Sequence, residues 1–334
     1  MKAYSIFERP LTVFGIAGFD KSKTISRLPK ELLSKIPSLE FLGRRVPGAR
    51  IGFRTNSKKL CVKIEFETLG TDIGMSIYAC QSAFVYAGKT RQDSKFIGLV
   101  HPSNYDNKTF ENTFDLSGEM QEALILLPRN EIIRDVQILV DDDAIVTEPT
   151  PYKYAKPILY YGSSITEGGC CTNPANYYNA IISRHLDVDY YNFGFSGNCK
   201  GEPEMADFFN TLDFSVFVLD YDHNAPTCEH LQATHEPFYK KIREKNKSVP
   251  IIMMTRPRPW LTKDEEMRHS IVYQTYKNAI DSGDENVYFI SGKSFFENDA
   301  DAELCFIDGC HPNDLGFHKM ARVVEPLIKS LLRG

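Results

Sequence analysis

The sequence predicts an α/β protein in which a β-sandwich, residues 1–150, precedes a three-layer domain built on a parallel sheet, residues 151–334. Three observations predict this fold class. Short strand patterns fill the first part, prolines cluster near residue 150, and strand patterns then alternate with helix patterns. At 334 residues the chain is long enough for two domains of about 150 residues each.

The first part of the chain is predicted to be rich in β-structure. Residues 59–68 alternate between apolar and polar side chains, as a strand with one buried face does. Many short strands separated by Gly, Pro, Asn and Asp are typical of an antiparallel sandwich, here of the jelly-roll type. Further strands are predicted over 49–54, 95–100, 123–127 and 136–140, and one short helix over 29–35. The sequence of this part groups no titratable residues in a catalytic pattern.

Residues 147–157 mark a change of composition, because Pro149, Pro151 and Pro157 all lie within them. Proline lacks a backbone N–H group and restricts its neighbours, so such a segment disfavours both a helix and a central strand. We therefore predict the boundary between the two domains here.

The second part of the chain repeats a strand followed by a helix. Strands that are apolar along nearly their whole length indicate a parallel sheet covered by helices on both faces. Ligands of such sheets bind beside the carboxyl ends of the strands, so the loops that follow the strands are the places to search. The predicted strands are 158–161, 188–193, 215–219, 250–255 and 287–290, and the predicted helices are 176–186, 203–210, 229–246, 264–282 and 315–332.

The loop after the first of these strands carries a candidate nucleophile. In Gly162-Ser163-Ser164-Ile165-Thr166, small residues at a strand-to-helix turn let a hydroxyl stand clear of the backbone. Backbone N–H groups at the start of the helix would point at the group that the hydroxyl attacks. We interpret Ser164 as a nucleophile, and the alternative is a serine-rich turn that only caps the helix.

Asp308 and His311 lie just before the last predicted helix. An aspartate three residues before a histidine can orient the imidazole and stabilise its protonated form, so that the histidine acts as a general base toward a serine. The alternative is a structural pair that precedes a helix. On the predicted topology the pair lies at the same edge of the sheet as Ser164.

Taken together, these segments resemble the SGNH (GDSL-like) hydrolases. Residues 162–166 resemble the first block of that family, usually Gly-Asp-Ser-x-Thr, with Ser163 in place of the aspartate. Gly197 and Asn224 fall where the second and third blocks have their glycine and asparagine. The third block reads Asp-His-Asn-Ala instead of Gly-x-Asn-Asp, and residues 308–311 match the fifth block.

The resemblance implies a flavodoxin-like SGNH-hydrolase fold for the second part of the chain. It also implies a catalytic site formed by Ser164, Asp308 and His311. The oxyanion hole of that site would consist of the backbone N–H groups of Ser164 and Gly197 and the side-chain amide of Asn224.

The first part of the chain resembles the sandwich domain that precedes the SGNH domain in a subgroup of bacterial esterases. Of that subgroup's Gly-x-Asp-Leu-Tyr pattern, residues 82–86 keep only the tyrosine, Tyr86. The function that these resemblances imply is a serine esterase that removes small acyl groups, with acetyl as the expected group, from carbohydrate. An acyltransferase with the same site and a non-catalytic glycan-binding protein are the alternatives.

Further residues in the strand-end loops are candidates for substrate binding. His223, Arg256 and Trp260 could contact substrate, and the alternatives are hydrogen bonding within the loop for His223 and a rigid proline-containing loop for the other two. Glu167 is interpreted as a favourable charge near a helix start, not as a second acid. Several cysteines lie close to the motif loops, but no Cys-x-x-Cys spacing occurs, so we predict no metal and no cofactor.

The resemblance implies a small-molecule or oligosaccharide ester as the partner. A net charge of −5 and a pI near 5.9 give no electrostatic basis for binding nucleic acid or an anionic membrane. No apolar run reaches the roughly 20 residues that a membrane span needs. The first ten residues lack the features of a secretion signal and the eight cysteines lack paired spacing, so reduced thiols in the cytoplasm are expected. Association into a homo-oligomer is left open.

Overall fold

The computed structural model describes residues 1–104, 107–297 and 299–332, and within these ranges the chain forms three β-sheets. Two antiparallel sheets come from the first part of the chain, and one parallel, five-stranded sheet comes from the second. The predicted α/β fold class, a parallel-sheet domain preceded by a β-sandwich, is confirmed. The jelly-roll designation and the domain boundary near residue 150 stay predictions.

The two antiparallel sheets pack face to face and form the sandwich. Their strands are β1 (Lys2–Ser5), β2 (Thr12–Phe14), β3 (Arg50–Thr55), β4 (Lys59–Phe66), β5 (Ala83–Gly88), β6 (Lys95–Val100), β7 (Thr109–Asp115), β8 (Gln121–Leu126), β9 (Ile133–Val140) and β10 (Val146–Thr147). One sheet has the order β1-β9-β4-β7, and the other has the order β10-β3-β8-β5-β6 with β2 beside β3. Apolar side chains from both sheets, among them Phe53, Val62 and Ile125, are fully buried in one cluster between them.

The five strands predicted for the first part are present, with small shifts at their ends. Several strands were not predicted, and one of them, β5, is a continuous apolar run that lacks the alternation of a half-buried strand. The short helix predicted over residues 29–35 is present but shorter, and three further short helices were not predicted. The structure has α1 (Phe19–Ser22), α2 (Lys30–Leu33), α3 (Glu40–Arg44) and α4 (Ile77–Gln81). Helices this short have too few turns to show a helical period in the sequence.

The second part of the chain forms a parallel sheet with the order β12-β11-β13-β14-β15. These strands are β11 (Tyr154–Gly162), β12 (Val188–Gly194), β13 (Val216–Asp220), β14 (Ile251–Met254) and β15 (Val287–Ile290). The helices are α5 (Ser164–Glu167), α6 (Tyr178–Leu186), α7 (Pro203–Phe209), α8 (Cys228–Lys245), α9 (Lys263–Asp281) and α10 (Asp314–Leu331). Short 3-10 helices cover Pro37–Leu39, Pro174–Asn176, Asp222–Asn224, Gly292–Phe296 and Ala302–Cys305. All five predicted strands and all five predicted helices are therefore confirmed.

Helices cover both faces of the parallel sheet. Leu159 and Tyr161 of β11 are buried in a cluster with residues of α7, α8 and α9. Their neighbours Ile158 and Tyr160 point to the other face, into a cluster with residues of α6 and α10. Because successive strand residues point to opposite faces, one strand contributes to both cores, and the result is the predicted three-layer fold.

The proline-containing segment 147–157, which disfavours a central strand, extends at its end into the parallel sheet. Pro157 lies within β11, which is an internal strand, and the register between β11 and β12 shifts between Tyr154 and Ile158. Its carbonyl oxygen accepts a hydrogen bond from Ser215 N–H at 2.8 Å. An irregularity in the ladder is where a residue without an N–H group can be accommodated.

Ion pairs join the sandwich to the parallel-sheet part. Arg50 on β3 pairs with Asp189 on β12, and Arg91 Nη2 lies 3.1 Å from Asp187 Oδ1. All four side chains are largely buried at this contact. Removing one partner of such a pair would leave an uncompensated charge, so these contacts favour one arrangement of the two parts.

Two sequence-based expectations concern the chain as a whole. Among the described residues, no helix has both the length and the apolar character needed to cross a membrane. All eight cysteines are free thiols, as their spacing predicts, and Cys310 alone among them is partly exposed. The cytoplasmic location stays a prediction.

Candidate active site

The turn after β11 presents Ser164 at the carboxyl end of an internal strand. Ser163 is the N-cap of α5, and its Oγ accepts a hydrogen bond from Ile165 N–H at 3.1 Å. A Cβ atom at Gly162 would lie 2.2 Å from Thr166 Oγ1, so only glycine fits before the turn. Ser164 is 6% exposed and lies in the first turn of α5, where backbone N–H groups have no intrahelical acceptor.

The side chains of Ser164, His311 and Asp308 form one hydrogen-bonded chain. Ser164 Oγ lies 2.9 Å from His311 Nε2, and His311 Nδ1 lies 2.8 Å from Asp308 Oδ2. The other carboxylate oxygen, Oδ1, accepts the backbone N–H groups of His311 at 2.7 Å and of Cys310 at 2.9 Å. The structure therefore brings together the three residues that the sequence analysis combined.

Neighbouring groups favour the protonated form of His311. A hydrogen bond with the Cys310 side chain raises the pKa of His311, partial burial opposes it, and Asp308 adds to it, so that the pKa reaches about 9. Partial burial disfavours ionisation of Asp308, but hydrogen bonds from His311 and Cys310 outweigh it and lower its pKa to about 2. For Cys310, burial is likewise outweighed by the imidazole and by Arg256, and its pKa is lowered. The histidine therefore lies between two groups that stabilise its positive charge.

The predicted oxyanion donors lie in loops that follow β12 and β13. Gly197 is exposed and has a φ of +67°, a conformation that glycine adopts without strain. Asn224 Oδ1 accepts a weak hydrogen bond from Cys199 N–H at 3.4 Å. Within residues 1–104, 107–297 and 299–332, Asn224 Nδ2 donates no hydrogen bond, so this N–H group is available to a ligand.

His223 bonds within its own loop, which is the alternative interpretation of this residue. Its Nδ1 lies 2.8 Å from Asp222 Oδ1, and its side chain is 7% exposed. Its Nε2 is buried and has no hydrogen-bond partner in the described part of the chain. A contact between His223 and substrate stays a prediction.

Arg256 and Trp260 differ in how the loop after β14 holds them. Arg256 Nη1 lies 2.5 Å from Glu265 Oε1, and Arg258 Nη1 lies 2.6 Å from the same oxygen. Glu265 also closes a capping box with Thr262 at the start of α9, so both arginines stabilise a helix end. Trp260 is 54% exposed. Roles for Arg256 and Trp260 in substrate binding stay predictions.

Glu167 lies in the first turn of α5, as predicted, and it also makes contacts that the sequence did not indicate. It is fully buried at the end of α5, and its Oε2 lies 3.0 Å from Arg129 Nη2 and accepts Ser196 N–H at 3.0 Å. Arg27 Nη2 lies 3.8 Å from the other oxygen, Oε1. Both arginines come from the first part of the chain, in which the sequence showed no catalytic pattern. The only signal for them in the sequence is an acidic residue close to the nucleophile motif, which does not identify its partner.

Two clusters of potential metal ligands occur in this region of the described chain. The first cluster consists of Asp308, Cys310 and His311, and the second consists of Asp220, Asp222 and His223. Within each cluster the potential ligand atoms lie within 4.8 Å of one another. The first uses atoms of the Ser164 hydrogen-bonded chain. In the second, Asp220 is fully buried, burial raises its pKa to about 7, and its Oδ2 accepts a hydrogen bond from Thr166 Oγ1 at 2.9 Å. That the protein needs no metal stays a prediction.

Two protein-family models match the chain. The GDSL-like lipase/acylhydrolase family matches residues 155–329. The family described as the N-terminus of SGNH-hydrolase-type esterases matches residues 7–146. A search of curated proteins found no match.

Several solved structures share the fold over nearly the whole chain. A candidate GDSL-like lipase from Bacteroides ovatus ATCC 8483 is 25% identical, with a TM-score of 0.87 over 99% of this chain and 98% of its own. The salicylyl-acyltransferase SsfX3 from a tetracycline biosynthetic pathway is 18% identical, with a TM-score of 0.81 over 99% of both chains. Est2A, an acetyl xylan esterase from the rumen bacterium Butyrivibrio proteoclasticus, is 13% identical, with a TM-score of 0.62 over 99% of both chains.

The family match and the site agree in position. The matched segment covers more than half of the chain and includes both the Ser164 turn and the segment that carries Asp308 and His311. The second match covers the sandwich, so the order of the two parts is that of the predicted esterase subgroup. The chain belongs to the GDSL-like lipase/acylhydrolase family, and it is a carboxylic ester hydrolase.

Proposed function

We propose that the protein is a serine esterase that hydrolyses small acyl esters through an acyl-enzyme on Ser164, with acetylated carbohydrate as the expected substrate. The observation that carries the proposal is the hydrogen-bonded chain from Ser164 through His311 to Asp308, with distances of 2.9 and 2.8 Å. A hydroxyl activated by a base that a third group orients is the arrangement that nucleophilic catalysis requires.

The reaction proceeds in two halves. Ser164 Oγ attacks the ester carbonyl carbon while His311 Nε2 takes the hydroxyl proton, and the tetrahedral intermediate then expels the alcohol, which receives that proton. Water attacks the resulting acyl-enzyme with His311 again as the base, and the carboxylic acid and free Ser164 are released. Asp308 accepts the Nδ1–H bond throughout and stabilises the imidazolium.

The negative charge of each tetrahedral intermediate develops on the former carbonyl oxygen. In this proposal the N–H groups of Ser164 and Gly197 and the Asn224 side-chain amide donate to that oxygen. The free Nδ2 of Asn224 and the unpaired first turn of α5 support these roles. Donors held in place before the reaction stabilise the transition state without reorganisation at the moment of bond formation.

The choice of substrate rests on the relatives. Est2A is named as an acetyl xylan esterase, and a family two carbohydrate esterase from Clostridium thermocellum, 16% identical with a TM-score of 0.61, was solved with cellohexaose. The first supports an acetylated carbohydrate here, and the second supports a carbohydrate ester. His223, Arg256 and Trp260 are the proposed substrate contacts outside the hydrogen-bonded chain.

An acyltransferase is the second candidate, because SsfX3 shares the fold with a TM-score of 0.81. In that reaction a bound alcohol or amine would attack the acyl-enzyme in place of water. Added acceptors would then accelerate turnover and appear as acylated product, whereas a hydrolase would release free acid at an unchanged rate.

Two measurements on the wild-type protein test the proposed esterase. Hydrolysis of p-nitrophenyl acetate should exceed that of the butyrate and octanoate esters. A fluorophosphonate should label one residue, and peptide mass spectrometry should place the label on Ser164, since only an activated serine reacts in this way. Label on another residue, or an unlabelled protein that still cleaves the esters, would overturn the Ser164 mechanism.

The acid limb of the pH profile is expected to report His311. A general base must be neutral to accept a proton, so kcat/KM should be full above the pKa of His311 and fall as the pH decreases through it. Because the neighbouring groups raise that pKa to about 9, the limb should lie well above the ordinary value of histidine. Cys310→Ala removes the thiol whose hydrogen bond raises the pKa of His311, so the acid limb should move to lower pH.

Two further variants make the pH experiment specific. Cys310→Ser keeps a small polar side chain but cannot supply a thiolate, so it should shift the limb in the same direction as Cys310→Ala. Ser164→Ala protein supplies the blank for all hydrolysis that does not use Ser164, including spontaneous hydrolysis at alkaline pH. An identical limb in the wild type and both Cys310 variants would show that the thiol does not set the basicity of His311.

A further inference from the structure

Glu167 is a buried carboxylate for which the proposed reaction has no use. It lies at the opposite end of α5 from Ser164, and its side chain is fully buried. A carboxylate in such a place is costly unless it is paired and hydrogen-bonded. The pairing comes from Arg129 Nη2 at 3.0 Å, and the hydrogen bond comes from Ser196 N–H at 3.0 Å.

Ser196 directly precedes Gly197, the proposed oxyanion donor. A Cβ atom at Gly197 would have no heavy atom within 4 Å in the described structure, so no side chain packs against Gly197 itself. Phe195 and Cys199 anchor the turn in the core on either side of Gly197, and the hydrogen bond from Ser196 N–H ties the residue directly before Gly197 to Glu167. Glu167 thus connects the helix that carries Ser164 with the turn that carries Gly197.

Arg129 reaches this carboxylate from the sandwich. It lies between β8 and β9, and its side chain is fully buried. Its Nη1 donates to Asp72 Oδ2 at 3.0 Å and to Asn130 Oδ1 at 2.7 Å, while Nη2 donates to Glu167. A Cβ atom at Gly169 would lie 3.5 Å from both Arg129 Nη2 and Ser164 Cβ, so the guanidinium is close to the nucleophile turn.

A second arginine of the sandwich part holds the strand that leads into the same turn. Arg27 Nη1 donates to the carbonyl oxygens of Asn192 and Gly194, both at 2.7 Å. The guanidinium lies 4.6 Å from the ring centroid of Phe195. The backbone before Gly197 is therefore fixed by Arg27, and the backbone at Ser196 is fixed through Glu167 and Arg129.

We propose that Arg129 is a positioning residue for the oxyanion hole: it neutralises Glu167, and Glu167 in turn fixes the direction of the N–H group of Gly197. The inference rests on the proposed function, because that function assigns Gly197 to the oxyanion. By this arrangement the sandwich completes the active site, since the parallel-sheet part alone would leave the Glu167 carboxylate without its arginine.

The expected kinetic effect follows from what the hydrogen bond positions. An oxyanion donor acts on charge that develops in the transition state, at an N–H to oxygen distance of about 2.7–3.1 Å. Without Arg129, Glu167 either keeps only the ion pair with Arg27 at 3.8 Å, which includes no hydrogen bond, or takes up a proton. In either form its hydrogen bond with Ser196 N–H changes. The ground-state ester carries little charge on its carbonyl oxygen, so kcat should fall while KM stays near its wild-type value.

The experiment compares Arg129→Met, Arg129→Lys and the wild type as full-length proteins on p-nitrophenyl acetate. Arg129→Met removes the charge at similar length, and kcat should fall by about 10²-fold, as a displacement of about 1 Å in a catalytic group can cause. Arg129→Lys keeps the charge without the two-pronged contact and should lie between. Arg134→Met is the matched control, because Arg134 is 58% exposed on β9 and should leave kcat unchanged.

Two readouts separate positioning from a purely structural role. Phenylboronic acid forms a tetrahedral adduct with a catalytic serine, so its inhibition constant should rise by about the same factor as kcat falls. Adding Glu167→Gln to Arg129→Met should recover part of kcat, because a neutral amide needs no cation and its oxygen can still accept Ser196 N–H. If Arg129→Met fails to fold, as judged by thermal melting, Arg129→Lys and the double variant decide the question.

A folded Arg129→Met protein with wild-type kcat, or with a change confined to KM, would overturn the inference. So would boronic acid inhibition that is unchanged while kcat falls. The proposed function fails separately. Wild-type activity in Ser164→Ala would overturn the serine mechanism, whereas an inactive Ser164→Ala together with a fully active Arg129→Met would overturn only the role of Arg129.

Discussion

Ser164→Ala is expected to lower kcat for p-nitrophenyl acetate by about 10⁶-fold, which is the scale on which serine nucleophiles act in triads. Without Oγ no acyl-enzyme can form. His311 Nε2, which lies 2.9 Å from Ser164 Oγ in the wild type, then has no hydroxyl to deprotonate. The residual rate should still exceed the uncatalysed rate by about 10³–10⁴-fold, because the oxyanion donors and substrate contacts remain. The measurement is steady-state hydrolysis by protein purified separately from wild type.

His311→Ala should cost about as much as Ser164→Ala, and the double variant should cost no more than either. The reason is that the hydroxyl and its base act as one unit, so removing the second member takes nothing further away. Ser270→Ala is the control, because this serine lies exposed on α9. Losses that multiply in the double variant would mean that Ser164 and His311 contribute independently, in conflict with the hydrogen bond between them.

The parts of the molecule that the sequence predicted well are those whose signal is local. The strands β14 and β15 are short apolar runs bounded by polar turns, and β15 was predicted with its observed limits, Val287–Ile290. Asp308 and His311 are three residues apart, and the same turn that brings them together also supplies the backbone N–H groups that fix the carboxylate. Their approach to Ser164 follows from the parallel topology, because the loops at one sheet edge meet there.

The parts that were missed depend on contacts between distant segments. Nothing near Arg27 or Arg129 in the sequence indicates that both side chains pair with Glu167. A buried arginine can be predicted only when its acidic partner is known. The same limit applies to Arg256, whose guanidinium is bound by Glu265. Pro157 shows the opposite case. Proline disfavours a central strand, but an irregular register between β11 and β12 accommodates it here.

Asp308→Asn is expected to lower kcat/KM by about 10³–10⁴-fold while leaving the fold intact. Asp308 Oδ1 accepts two backbone N–H groups, so the amide oxygen of asparagine would stay on that side. The NH₂ group would then face His311 Nδ1, at the present position of Oδ2, and would require Nδ1 to accept a hydrogen bond. The neutral imidazole would carry its proton on Nε2, where it cannot take the proton of Ser164.

The test measures kcat/KM, fluorophosphonate labelling and thermal melting of Asp308→Asn beside Asp301→Asn, an exposed carboxylate a short distance before it. Slow labelling with a melting temperature near that of wild type would identify the wrong tautomer as the cause, since both backbone hydrogen bonds to residue 308 survive the change. Asp301→Asn should match the wild type in all three measurements. A loss below about tenfold in Asp308→Asn would instead mean that the carboxylate is not needed to orient His311. Water would then accept the Nδ1–H hydrogen bond, which is possible because the Asp308 side chain is half-exposed.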